Sequence, residues 1–313
     1  DQKIDKAKAE GRRLSMNFGS SRSLAYYISP TRTQVADNEF LNTGERSVVN
    51  SWEVVNSASA GSSLLTAYVR FHQWMDHGAR PEVVFVELSP VAVTRATRWF
   101  TTEIKFGVPL RFALGRLNEM PWAHSKTVLA SRLFALSRYR LGERDNFSAP
   151  WEMLIRMTAE HVAVRPENVQ LFPGFPAGKE PPAAALLYLN MMGPMEAELF
   201  TAYNIDPAME SYAHSIIRRG KKLGIPVIFW RPPVHPLWQS VLNKHLNQTQ
   251  WDRLILRLEN EGGHYLDLGA PGVMQCNYFF DPVHFGQNCI PEIFYRKLQL
   301  YESIQAKEAG DVD

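Results

Sequence analysis

The chain has 313 residues, 45% hydrophobic and 12% aromatic, which is ample material for a core and fits one α/β domain carrying a large insertion. A formal charge of +2 gives no electrostatic footprint for nucleic acid, and 21% charged residues argue against wholesale disorder. No run of about 18 apolar residues is available to span a membrane, and no signal peptide is visible.

The stretch 1–13 is highly charged and helix-permissive. It reads as a stalk (1–12) left on a processed chain after removal of an N-terminal anchor, or as a solvated terminal helix. Residues 13–18 predict the first strand, with Leu14, Met16 and Phe18 alternating, and 23–28 a short helix. A second strand is predicted at 52–56. The loop Ser57-Ala58-Ser59-Ala60-Gly61 then leads into a helix over 62–77. The β-branched run 82–88 reads as a buried parallel strand. Strand, helix, strand, helix, strand is the signature of a parallel sheet.

The alternation stops over 91–195, which reads as a helical insertion or cap. Its Phe172-Pro173-Gly174-Phe175-Pro176 and Glu180-Pro181-Pro182 stretches are loop or linker signals. The aromatic and basic mix of Arg98, Trp99, Phe100, Lys105, Phe106, Arg111 and Phe112 suits helix cores with snorkelling basic side chains, or a membrane or partner surface. Residues 195–224 predict helix with a break at Pro207 and a stop at Gly224. Residues 225–230 predict a fourth strand, 235–260 one or two helices, 264–268 a fifth strand and 290–304 a closing helix. The α/β domain is therefore expected to be discontinuous, 13–90 with 196–306.

In an open parallel sheet, ligands bind at the carboxyl ends of the strands. Polar clusters fall there repeatedly: Ser20-Ser21, Asn56 to Gly61, Glu87-Leu88-Ser89 and Arg231 to His235, with a loop holding Asp281 and His284 after the fifth strand. Ser21 is the candidate nucleophile, because a Ser at a helix start has backbone N–H groups aimed at its oxygen. A helix cap by Ser20 or Ser21 is the structural alternative. His284 is the candidate general base, and Asp281, three residues earlier on one turn, the carboxylate that orients it. Gly61 is a candidate oxyanion donor through its N–H, or a turn glycine. Asn56 is an oxyanion donor or a strand-end cap. Ser89, Arg231 and His235 are candidate substrate contacts.

Gly19-Ser20-Ser21 at the front and Asp281-Pro282-Val283-His284 at the back resemble the SGNH (GDSL-type) hydrolase superfamily. Ser20 stands where that family's first block usually has Asp, and Asn56 through Gly61 matches its Asn-x-x-x-x-Gly block. Its Gly-x-Asn-Asp block, expected near Glu87-Leu88-Ser89-Pro90, is absent; Ser89 is a candidate substitute. The serine-rich turn and the missing block resemble the divergent cell-envelope branch that includes relatives of teichoic-acid D-alanylation and alginate O-acetylation proteins. The resemblance implies a flavodoxin-like three-layer α/β/α fold with a five-stranded parallel sheet, and Ser-His-Asp chemistry through an acyl-enzyme without metal or organic cofactor. It also implies an exported protein tethered by an N-terminal helix, acting on an acylated glycan or small ester beside a membrane-bound O-acyltransferase. A degenerate glycan-binding or scaffold protein of an acylation complex is the alternative.

Cys276 and Cys289 bracket the Asp281–His284 loop. They form a staple suited to an exported protein, or two buried thiols. One nearby His does not make them a zinc pattern.

Overall fold

The computed structural model describes residues 2–20, 23, 32–58, 62–94, 103–133, 175–177, 204–281 and 283–310. Five strands make the central sheet: β1 (Arg13–Phe18), β2 (Trp52–Asn56), β3 (Val83–Glu87), β4 (Val227–Arg231) and β5 (His264–Asp267). Every pairing is parallel and the order is β2-β1-β3-β4-β5. This is the flavodoxin-like order. Its direction of winding reverses between β1 and β3, which opens a crevice at their carboxyl ends.

Burial on both faces explains the nearly unbroken apolar strands. Met16, Phe18, Val84, Val86, Val227 and Phe229 pack with helices α4 (Leu64–Asp76), α7 (Pro207–Leu223) and α9 (Gln248–Asn260). The alternate residues Val54, Val83, Phe85, Ile228 and Trp230 pack with α2 (Arg32–Ala36), α3 (Thr43–Asn50) and α10 (Ile290–Gly310). The result is three layers, α/β/α. The remaining α-helices named among the described residues are α1 (Gln2–Ala9), α5 (Leu110–Gly115), α6 (Trp122–Leu133) and α8 (Pro236–His245), with short 3-10 or π turns at Pro90–Val93, Glu103–Gly107 and Gln287–Cys289. None of the described helices is long and apolar enough to cross a membrane.

Three expectations need correction. Of the helix predicted over 195–224, residues 195–203 lie outside the described residues, 204–206 are not helical, and α7 begins at Pro207, after the cap Asp206, whose side chain accepts from the Ala208 N–H. Pro207 has no N–H to bond backwards, so it opens α7 at the position where the sequence places a break. Ile205 instead forms an antiparallel bridge with Thr94. Gly224, at φ +67°, ends α7 in the left-handed conformation, as its position predicts.

The second correction concerns the Asp281–His284 segment, expected as a loop. It is a tight hairpin of β6 (Tyr278–Asp281) and β7 (His284–Phe285), with Asp281 paired to His284. The third concerns 172–176, expected as loop or linker. Within it, Phe175–Pro176 is a two-residue strand antiparallel to β6, with Phe175 opposite Phe279. Proline is tolerated there because the strand lies at the sheet edge. The predicted helix 23–28 lies outside the described residues beyond Ser23.

Cys276 and Cys289 form a disulfide, with Cα atoms 5.3 Å apart, bracketing the hairpin. The fully buried Glu292, in the first turn of α10, accepts from the backbone N–H groups of Gln275 (2.8 Å) and Cys276 (2.7 Å). Replacing both cysteines with Ser is expected to cost about 3 kcal/mol, the loop-closure value for a ring of this size, measured by urea denaturation.

His72, on α4, is ringed by Tyr68, Phe71 and Phe112. Burial pushes its pKa down from 6.5 to about 3, and Arg116 acts in the same direction. The unfolded chain therefore takes up the proton first. Stability present above pH 6.5 is lost as the pH falls toward 3, by about 2 kcal/mol at pH 5. His72→Phe is expected to flatten this acid limb, seen as a smaller difference between urea midpoints at pH 7 and pH 5.

Candidate active site

The crevice between β1 and β3 is built around one carboxylate. Glu87, the last residue of β3, is 2% exposed. It accepts from the Ser20 N–H (2.8 Å), the Ser20 hydroxyl (2.7 Å) and the Ser23 hydroxyl (2.7 Å). The Ser23 N–H donates to the Ser20 carbonyl (3.0 Å), closing a four-residue turn. Its middle residues, Ser21 and Arg22, lie outside the described residues, as does Gly61. Gly19 makes the close approach possible: a Cβ there would clash with Ser23 Oγ and stand 2.7 Å from the Glu87 Cβ.

Beneath this turn runs a second row of polar groups. Lys297 Nζ donates to Asn17 Oδ1 (2.9 Å), and Asn17 Nδ2 to Asn56 Oδ1 (3.3 Å). Asn56 Nδ2 donates to the Ser23 carbonyl (2.9 Å), and Asn56 Oδ1 accepts from the Ala58 N–H (3.0 Å). The Ser57 N–H donates to the Asn17 carbonyl (2.8 Å). Lys297 is fully buried on α10, its ammonium 3.7 Å from the Trp230 ring centroid and 4.8 Å from that of Phe85. Burial drives its pKa well below the ordinary lysine value, opposed by the negative charge of Glu87.

The hairpin reaches the same end of the sheet. Val283, between Asp281 and His284, is buried against Trp238 and Leu242, in a cluster joined by Val91 and Val234. Val91 and Val234 follow the carboxyl ends of β3 and β4. His284 is half-buried, and its backbone holds the hairpin register; the Asp281 side chain and Pro282 lie outside the described residues.

Ser89 and Arg231 meet in a small cleft with Val91, Val234 and Trp238. Arg231 donates to Asp267 (3.2 Å) and to Gln239 Oε1 (2.6 Å), bridging β5 and α8. His235 caps α8, its Nδ1 accepting from the Leu237 N–H (3.2 Å), and its ring meets Phe279 of the hairpin edge-on at 5.3 Å. Burial lowers the His235 pKa, against a hydrogen bond with the Ala177 backbone. Among the described residues, no group of three His, Cys, Asp or Glu side chains is arranged to hold a metal ion.

The structure thus gathers Asn56 at the β1–β3 crevice, and Ser89, Arg231, His235 and the hairpin at the β3–β4 end. Sequence reasoning missed Glu87 and Lys297 as partners. Two signals were present: an acid ending an otherwise apolar strand, and a lysine on the buried stripe Ile290, Ile293, Phe294, Leu298, Tyr301 and Ile304.

Strand order and a polar switch-point crevice define a flavodoxin-like α/β protein. The chain belongs to the family described as a protein of unknown function, DUF1574, whose model matches residues 2–150 and 181–299. A crystal structure of TesA is similar over 91% of this chain and 95% of that one, at 10% identity and a TM-score of 0.35. No curated protein matches the sequence.

Proposed function

We propose that this protein is an SGNH-type serine esterase or O-acyltransferase working through an acyl-enzyme. The observation that carries the reading is the convergence at one end of the sheet. The Ser20–Ser23 turn is bonded to Glu87 at the β1–β3 crevice. The hairpin bearing Asp281 and His284 is anchored through Val283 beside the ends of β3 and β4.

In this reading Ser21 Oγ attacks an ester carbonyl while His284 takes its proton and Asp281 steadies the resulting imidazolium. The N–H groups of Ser21 and Gly61 hold the oxyanion. His284 returns the proton to the departing alkoxide, leaving Ser21 acylated. Water or a sugar hydroxyl then gives up a proton to His284 and attacks the acyl carbon, and His284 returns that proton to Ser21 Oγ as it leaves. Hydrolysis and transfer differ only in that second nucleophile. The substrate is an acyl ester of a cell-surface polysaccharide; the Cys276–Cys289 disulfide supports an oxidising, exported setting. Tethering by an N-terminal helix and a membrane-bound O-acyltransferase partner belong to the same proposal.

The test is mass spectrometry after exposure to a fluorophosphonate. An adduct on Ser21, missing in Ser21→Ala, is the expected result. No adduct, under conditions that label a known serine esterase, overturns the catalytic reading in favour of a glycan-binding or scaffold role.

A further inference from the structure

We infer that Glu87, Asn56, Asn17 and Lys297 form a positioning network that holds the Ser20–Ser23 turn and the segment Asn56–Ala58 in one fixed relation. The inference rests on Ser21 being the nucleophile.

Three observations carry it. First, Glu87 accepts both hydroxyls that flank Ser21 in the chain, those of Ser20 and Ser23. The Ser20 hydroxyl is thereby an anchor, which separates its role from that of its neighbour. Second, the Asn56 amide grips two segments at once: the Ser23 carbonyl of the turn and the Ala58 N–H of the loop leading to Gly61. Neither Ser23 nor Ala58 shifts without breaking a hydrogen bond to Asn56, so the Ser20–Ser23 turn and the start of the loop after β2 are indexed to a single side chain. Third, the network depends on charge. An ionised carboxylate accepts only and has room for the three donors it meets, whereas a protonated one has a donor of its own to place. Lys297, on α10, reaches Asn56 through Asn17, and the negative charge of Glu87 opposes the loss of its proton.

These four are positioning residues: they act through the turn and the loop. Glu87→Gln keeps the shape but removes the charge, and an NH2 in place of Oε1 forces the Ser20 hydroxyl to turn from donor to acceptor. Misplacing a reacting group by about 1 Å costs on the order of 100-fold in rate.

The experiment is time-resolved fluorophosphonate labelling of Ser21 in the full chain, with the end-point stoichiometry recorded. For Glu87→Gln the labelling rate constant is expected to fall about 100-fold, with the same final extent. A purely structural role would leave the rate constant of the folded fraction unchanged and lower the final extent; that result overturns the inference. Asn56→Asp, which keeps the acceptor for Ala58 and loses the donor to Ser23, is expected to fall about tenfold. Should Glu87→Gln not fold, Ser20→Ala and Ser23→Ala each remove one bond to Glu87. Each is expected to slow labelling several-fold, and native rates in both overturn the inference. A native chain that leaves Ser21 unlabelled overturns the nucleophile reading itself and the positioning role with it. That failure is separable, because it is read before any variant is compared.

Discussion

Lys297→Met is expected to destabilise the protein by about 3–5 kcal/mol, measured by urea denaturation at pH 7. The substitution keeps most of the apolar stem that α10 buries, but it removes the positive charge facing Glu87 and the donor to Asn17 Oδ1. It also removes the Nζ contact with the faces of Trp230 and Phe85. The dominant effect is the carboxylate left behind, since a buried charge deprived of its partner is far more unfavourable than a buried neutral pair. The double variant Lys297→Met with Glu87→Gln is therefore expected to lose less than the sum of the two single losses, by at least about 1 kcal/mol in a double-mutant cycle. Strict additivity would show that the two groups do not act as a pair.

His284→Ala is expected to lower the initial rate on a small activated ester such as p-nitrophenyl acetate by about 10⁴-fold. Ser21→Ala should lose a similar factor, and the double variant no more than either alone, because a nucleophile and its base act as one unit. Folding should be little affected. His284 is only half-buried, while the hairpin that carries it is held by Val283, by the Gly286 N–H on the Tyr278 carbonyl (2.7 Å) and by the disulfide. A loss below tenfold with an unchanged fold would remove His284 from the chemistry.

Most of the sheet was legible from local pattern alone. β1 falls where the alternation of Leu14, Met16 and Phe18 puts it, and β2 and β3 fall at 52–56 and within 82–88, although β1 also buries Ser15 and Asn17 and β2 buries Glu53. α10 runs six residues past its predicted end at 304, to Gly310, since exposed helix-forming residues such as Ala306 and Lys307 continue a helix without burying anything. The short helices α2 and α3 gave little periodicity to read; α3 buries only Val49. The hairpin was read as a loop because Pro282 interrupts it and part of its pairing comes from Phe175–Pro176, far away in sequence. The site followed the same division. Ser20, Asn56 and the Asp281–His284 spacing are local features. The union of Glu87 with Lys297 exists only once β3 and α10 are packed together, so each half was visible as an oddity and neither as a partner.

The Phe175–Pro176 strand makes the chain between β3 and α7 more than an appendage. Its pairing with β6, continued by the Ala177 N–H on the Asn277 carbonyl (2.9 Å), closes the outer margin of the hairpin that bears His284. Excising that segment would strip the hairpin to a two-stranded ribbon with a naked backbone edge, a form that is marginal in water and prone to recruit a strand from another molecule. A minimal version of this protein therefore cannot be made by trimming back to the central sheet; it has to carry the short stitch at Phe175–Ala177 with it.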